Sequence, residues 1–421
     1  MARSFTPKDA YALMNELVKQ ATGQKTITVF DSSSFVSAGE LVLSTGLENV
    51  FNALNIVLGR LIVASRPYSA KMRIVGTKEV GTFSNRARKI SFYSQRALPD
   101  GSHNTDLFTN LAAGYTSGDN GGASTKSQWE QHPPMPLEMN FGGCNVWQYC
   151  ITQYEDQIHI AFRSAEDFAQ FVSGYMQEHA NDIAQEQEGF YRMTLLNRMA
   201  MTYDMSSDMP GAAVDLTSAF NTFYNTSYTG AQLRSTYLKE FLAFMTATIK
   251  EYSDFMEDRD VKYHWSVPKT IGGDTFHILR HTPKDRQKLV LFAPLFRKAE
   301  ALVLPEIFNP QYLSIDNYEP VAFWQSEYTD ADRPKINLTP AIIETDSTDP
   351  AYGTQIQGSA VALDYVVGFL FDEDAVLAEM QLDRADTTPV EARKHYRNTW
   401  DTFMKNAISD PTEKAILFYM S

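Results

Sequence analysis

Apolar residues recur at two different periods along this 421-residue chain, and the changes of period mark its parts. Residues 1–66 read as an arm of short helices. Thr6 and Pro7 suit an N-cap and a first helical position, opening a helix through Tyr11, Met14, Leu17 and Val18. Polar residues from Asp31 to Ser34 interrupt it. A second stretch places Leu41, Leu47, Val50, Phe51, Leu54, Val57, Leu58 and Leu61 near a period of 3.6, and Arg66-Pro67 ends it.

Residues 67–163 change character. Met72–Val75 and Lys89–Tyr93 alternate as strands do. From Pro99 to Pro136 the chain is rich in Gly, Ser, Asn, Asp and Pro. A structureless stretch of that length inside a compact body is disfavoured, so it reads as a projecting excursion ordered by a neighbour. Asn145–Tyr149 and Asp156–Phe162 return to strand character. Ser164 is a good N-cap, and the apolar set from Phe168 to Met199 predicts a helix to about Tyr203, with Gly189 a place for a bend.

A further helix is predicted over Gly230–Met256, with Leu233, Tyr237, Phe241, Met245, Ile249, Tyr252 and Met256 on one stripe. Lys288–Ala293 reads as a buried strand, Pro294 opens a short helix, and Val321–Trp324 reads as another strand. Residues 326–360 are polar and dotted with Pro and Gly, hence loop. Val361–Phe371 returns to strand. Strands over Glu379–Leu382, Tyr396–Trp400 and Ala415–Met420 close the chain. No internal repeat of fixed period is visible.

Charge adds a polarity to this plan. The net charge is −14, but residues 1–100 carry 13 Lys and Arg against 7 Asp and Glu, a net of +6, which leaves −20 for the remainder. Such a distribution suits contact between unlike surfaces of two copies and argues against a nucleic-acid binder as a whole. The basic set is Lys71, Arg73, Lys78, Arg86, Arg88, Lys89 and Arg96, opposed only by Glu79. One reading is an arm that lies on the acidic surface of a neighbouring copy. The others are a solvated basic hairpin and a local nucleic-acid patch.

Catalytic signatures do not emerge. There is no phosphate-cradling glycine loop and no Gly-x-Ser-x-Gly elbow. His277 and His281 are spaced for one helix face, but the Glu of a His-Glu-x-x-His site is missing, and paired surface or structural histidines are expected instead. Cys144 and Cys150 exclude a disulfide framework and are expected to be small buried hydrophobes. Asp346–Asp349 resembles a piece of a calcium loop without its closing Glu and reads as solvated loop. No cofactor or metal is expected and the chain does not read as an enzyme. The start of the chain lacks a signal-peptide apolar region, and no run is long and apolar enough for a membrane span.

The order of elements resembles the major capsid proteins of tailed double-stranded-DNA phages. The stretches that carry the likeness are Tyr149–Phe162 leading into Phe168–Tyr175, Leu289–Leu295, and Tyr365–Asp374 with Tyr396, Trp400 and Phe403 after it. Within that group the chain looks most similar to the short-tailed Picovirinae-type branch. The resemblance implies an α+β, Hong Kong 97-type fold. It divides the chain into an N-terminal arm (1–66), an extended E-loop with flanking strands (67–163), the spine helix of a P-domain (164–214), an A-domain (215–371) and closing P-domain strands (372–421). It implies an icosahedral virion shell, assembled in the host bacterial cytoplasm from pentamers and hexamers of this chain. It also implies a separate scaffolding protein, a portal protein, and enclosed double-stranded DNA held without tight binding. An encapsulin-like compartment that stores cargo shares the fold, and a tail or portal component is the remaining alternative.

Overall fold

The computed structural model describes residues 86–94, 134–142, 145–154, 165–271, 274–302, 318–391 and 393–421, with scattered positions between 11 and 75. The expected strand over 156–162, the N-cap at Ser164 and the helical stretch over 41–61 lie outside these residues.

Helix α1 (Ala165–Asp204) is 40 residues long and continuous through Gly189. At 1.5 Å per residue it spans about 60 Å. Its second half buries Ala184, Tyr191, Leu195, Leu196, Met199 and Ala200, which recur at helical spacings of three, four and seven. Helix α1 packs on the last strands of the chain. The seam with them is partly polar: His179 Nε2 lies 2.6 Å from Asp401 Oδ2, and Lys405 Nζ donates to Glu186 Oε1 at 2.5 Å.

Two sheets meet this helix. The first has three antiparallel strands in the order β14-β15-β3, where β3 is Asn145–Tyr154, β14 is Val376–Thr387 and β15 is Tyr396–Ser409. The second has five strands in the order β4-β16-β13-β7-β8, where β4 is Ala213–Asp215, β7 Gln287–Phe292, β8 Tyr318–Val321, β13 Val366–Asp372 and β16 Ala415–Tyr419. β13 sits at its centre and every residue of it is buried. That is why its sequence is a continuous apolar run rather than an alternation. At Gly368 the pairing with β16 shifts register, and a Cβ there would lie 2.8 Å from Val290 O, so the neighbouring backbone admits only glycine.

Four helices pack on and around this sheet. α2 (Leu216–Tyr224) starts at Asp215, whose carboxylate accepts from Thr217 N at 3.0 Å. α3 (Gly230–Leu233) starts with a capping box in which Thr229 and Gln232 satisfy each other's backbone. α4 is Leu238–Glu257 and α5 is Ala293–Leu302. Leu216, Phe220, Phe241, Met245, Ile249, Leu295 and Phe296 join the strands in one core.

Several expectations are corrected here. The single helix over Gly230–Met256 is two, separated by a turn at 234–237 whose last residue, Tyr237, stacks at 4.0 Å on Tyr228 ahead of the first helix. The stripe of apolar residues continues through the turn, so period alone could not reveal it. The strand expected at Val321–Trp324 ends at Val321. Trp324 is instead a buried plug whose indole Nε1 donates to Val366 O at 2.9 Å. Val361–Phe371 is broken into β12 (Val361–Leu363) and β13. The loop expected over 326–360 contains three short strands, β9 (Ile336–Leu338), β10 (Ala341–Ile343) and β11 (Gln355–Gln357). Met72, Ile74 and Val75 are buried but not in a strand.

Candidate assembly surface

Strand β1 (Arg86–Phe92) pairs antiparallel with β2 (Pro136–Gly142), from Arg86 opposite Gly142 to Phe92 opposite Pro136. Alternation assigns the two faces. Arg88, Ile90 and Phe92 share the outer face with Asn140, Glu138 and Pro136. Ile90 is 52% exposed and Phe92 58%. Lys89, Ser91 and Tyr93 point the other way, toward the body, and are buried or partly so.

The inner face is anchored by charge. Lys89 Nζ makes an ion pair with Asp410, receives further contact from Glu413 Oε1 at 2.5 Å, and donates to Thr412 Oγ1 at 2.8 Å. Arg280 Nη2 donates to Ser91 Oγ at 2.6 Å, and its Nε lies 3.4 Å from Glu413 Oε1. Arg198 of α1, fully buried, donates through Nη2 to Glu413 O at 3.1 Å. Two backbone bonds complete the root, Tyr93 N to Met135 O and Ser94 N to His277 O, both 3.0 Å.

The ionisation of this cluster follows from its burial. Burial alone pushes the Asp410 carboxyl up, but the Lys89 ammonium and the Thr412 donors outweigh it, and the group sits below the usual carboxylate range. Glu413 goes the other way: burial dominates the attraction of Lys89 and raises it, with the Asp410 charge adding to the rise. Arg198 is brought down to about 10 by burial, opposed by Asp410 and Glu413. It remains a cation at neutral pH.

Of the seven basic residues singled out in the sequence, Arg86, Arg88 and Lys89 fall on β1. Arg86 is placed by its pairing with Gly142. Arg88 is exposed and pairs with Glu138 at 2.5 Å across the hairpin. Lys89 is engaged inside its own chain. Lys71, Arg73, Lys78 and Arg96 lie outside the described residues. The outer face of the hairpin is therefore apolar at Ile90 and Phe92, and its one described cation already has a partner. Sequence reasoning missed β2 and the anchor at Asp410, Thr412 and Glu413. The signal available was the polar Asp410-Pro411-Thr412-Glu413 turn set between two strands.

A second exposed surface lies on β3, an edge strand. Val146 and Trp147 are consecutive and both exposed, so both faces of the strand meet solvent there. Lys405 Nζ sits 3.9 Å from the centroid of the Trp147 ring. Cys150 on the same strand is exposed and free, which corrects the expectation of a buried cysteine. His277 and His281 do not converge: the first has its Nδ1 3.0 Å from Ser266 Oγ, and the second is exposed on an extended segment. Among the described residues no group of three His, Cys, Asp or Glu is placed to hold a metal ion. Asp346 and Asp349 close their own turns, accepting from Thr348 N at 2.8 Å and Ala351 N at 2.7 Å. No helix among the described residues is long and apolar enough to cross a membrane.

No protein-family model matches the chain, and no curated protein matches it. Solved structures do. The capsid structure of Staphylococcus phage Andhra is similar over 84% of this chain and 84% of that one, with a TM-score of 0.50 and 11% identity. A structure described as head fiber and inner core protein gp22 of native bacteriophage P68 is similar over 82% and 83%, with a TM-score of 0.47 and 11% identity. The capsid structure of cyanophage P-SCSP1u gives 85% and 89%, with a TM-score of 0.39 and 10% identity. The chain thus has a mixed α+β fold that matches a phage capsid structure along most of its length, and the Hong Kong 97-type expectation is consistent with it.

Proposed function

We propose that this chain is the major capsid protein of a tailed double-stranded-DNA phage, related to the short-tailed Picovirinae-type branch. Its work is interface free energy rather than catalysis. The observation that carries the reading is the fold shared with the Andhra phage capsid structure over 84% of both chains. The sequence division into N-arm, E-loop, spine helix, A-domain and closing strands is retained as part of the proposal. β16 then stands apart from its neighbours β14 and β15, because it completes the five-stranded sheet.

The hairpin supports a role in assembly. A rigid root at Lys89, Ser91 and Ser94 projects a face carrying Ile90 and Phe92, and burying such a face against another copy removes apolar area from water. Contacts around five- and six-fold positions are heterologous, so the acceptor is a different surface of the neighbour. The seven basic residues keep their place as contact candidates. On β1, however, apolar contact at Ile90 and Phe92 is the stronger contributor, since Arg88 and Lys89 have partners within the chain. A scaffolding protein and a portal protein are the further partners. The shell would form in the host cytoplasm and enclose DNA without binding it tightly, in keeping with the net charge of −14.

Sedimentation of the purified chain, alone and co-produced with its scaffolding protein, tests the reading. Discrete large shells or five- and six-membered rings support it. A stable monomer in both samples overturns it. Finding cargo enzyme instead of DNA inside particles isolated from cells would favour the encapsulin-like alternative.

A further inference from the structure

The three-stranded sheet β14-β15-β3 has two edges, and they differ in kind. An open edge presents a row of unpaired N–H and C=O groups, ready to pair with another extended chain. β14 guards its edge in two ways. It carries Glu379, Asp383, Arg384 and Asp386, and its register with β15 shifts between Leu382 and Arg384. Charge and a break in register keep an edge from recruiting further strands.

β3 has neither guard. Its 10 residues, Asn145–Tyr154, include no charge, no Pro and no Gly. Its register with β15 is unbroken from Asn145 opposite Lys405 to Tyr154 opposite Tyr396. Among the described residues, no backbone group of β3 bonds to anything on the side away from β15. Its polar side chains turn inward as well. Gln148 Nε2 donates to Thr402 Oγ1 at 3.4 Å, and Thr152 Oγ1 donates to Asn398 Oδ1 at 2.8 Å, each partner directly opposite on β15. The nearby cation, Lys405, is buried and held by Glu186. Val146, Trp147 and Tyr154 are each about half exposed along the strand.

We propose that β3 is an acceptor edge, to which an extended segment of a second copy adds as a fourth strand of the sheet. The class of occupant follows from what the edge offers. A straight row of backbone donors and acceptors is matched by another strand, and Val146 and Trp147 add apolar contact on opposite faces. The source of the strand follows from charge. A second copy brings the same net −14, so it meets less repulsion at an uncharged strand than at β14, where three carboxylates outnumber one arginine. A basic foreign partner would find its match at β14 instead. The acceptor edge and the donated segment are different surfaces, so the contact is heterologous, as rings and shells require. The inference rests on the assembly reading above for the identity of the partner.

Hydrogen exchange of the full chain, resolved along β3 in dispersed and in associated protein, tests this. In the dispersed chain, alternate amides of residues 145–154 should exchange freely while those bonded to β15 stay protected. Association should slow the free set by about tenfold or more. Free amides that stay fast in the associated protein, or that are already slow in the dispersed chain, overturn the acceptor edge. Combining Val146→Lys with Gln148→Lys gives a second reading. That variant should keep the wild-type unfolding midpoint and need about tenfold more protein to associate, whereas Asp386→Lys on β14 should associate normally. Normal association of the β3 variant, or equal loss in Asp386→Lys, overturns the inference. Its fate is separable from that of the capsid reading. Shells in which β3 still exchanges sink this inference alone, and fibres in which β3 is protected sink the shell alone. A chain that never associates, alone or with its scaffolding protein, sinks both.

Discussion

The ammonium of Lys89 lies 2.5 Å from a carboxylate oxygen of Glu413, a residue 324 positions further along the chain. This single contact ties the start of the projecting hairpin to the turn between the last two strands. It also separates two residues that sequence alone treats alike, since Arg88 next door faces outward.

Replacing Lys89 by Met should therefore destabilise the subunit itself. Asp410 and Glu413 would remain in a buried site without their main cation, and losing one partner of such a cluster costs about 2–4 kcal/mol. Arg88→Ala removes an exposed pair and should change stability by less than about 0.5 kcal/mol. Denaturant unfolding of both variants checks the contrast. A charge-reversal test of the hairpin should accordingly spare Lys89 and change Arg86 and Arg88 only.

Ile90→Ser combined with Phe92→Ser should leave the monomer's unfolding midpoint nearly unchanged, because both side chains are more than half exposed. Assembly should fail or need much higher protein concentration, as read by light scattering. Shells forming at the wild-type concentration would remove this face from the interface.

The two carboxylates at the hairpin root have opposite pH signatures. Asp410 is held below its unfolded value, so it contributes stability above that value and loses it as pH falls through its folded pKa. Glu413 is held above its unfolded value, so its contribution is present in acid and is lost as pH rises through its folded pKa. Asp410→Asn should flatten the acid limb of stability against pH. Glu413→Gln should steepen the net fall in acid by removing the opposing contribution. Unfolding free energies measured across the acid range check both signs.

Gly368→Ala should cost about 1–3 kcal/mol, because the added methyl meets Val290 O at 2.8 Å in the fully buried centre of the five-stranded sheet. Thermal unfolding reads this directly. A neutral result would show that the strands can part there.

The sequence made the long helix legible because apolar residues from Ala184 to Ala200 keep one face over many turns. It made β7, β13 and β16 legible because strands buried on both faces are apolar throughout. The turn between α3 and α4 was hidden because Tyr237 keeps the stripe in register across it. The strand β2 was hidden because Pro136, Glu138 and Asn140 face solvent, leaving only Leu137, Met139 and Phe141 to mark it. The hairpin's basic residues were visible as charge, but not their fates. Whether a lysine faces a neighbour or its own core is decided by strand parity and by a turn more than 300 residues away.

Negative-stain electron microscopy of the purified 421-residue chain, with and without the gene product encoded beside it, tests the central claim most directly. The account expects closed isometric shells, or rings of five and six subunits, in at least one of the two samples. A dispersed, stable monomer in both would contradict it.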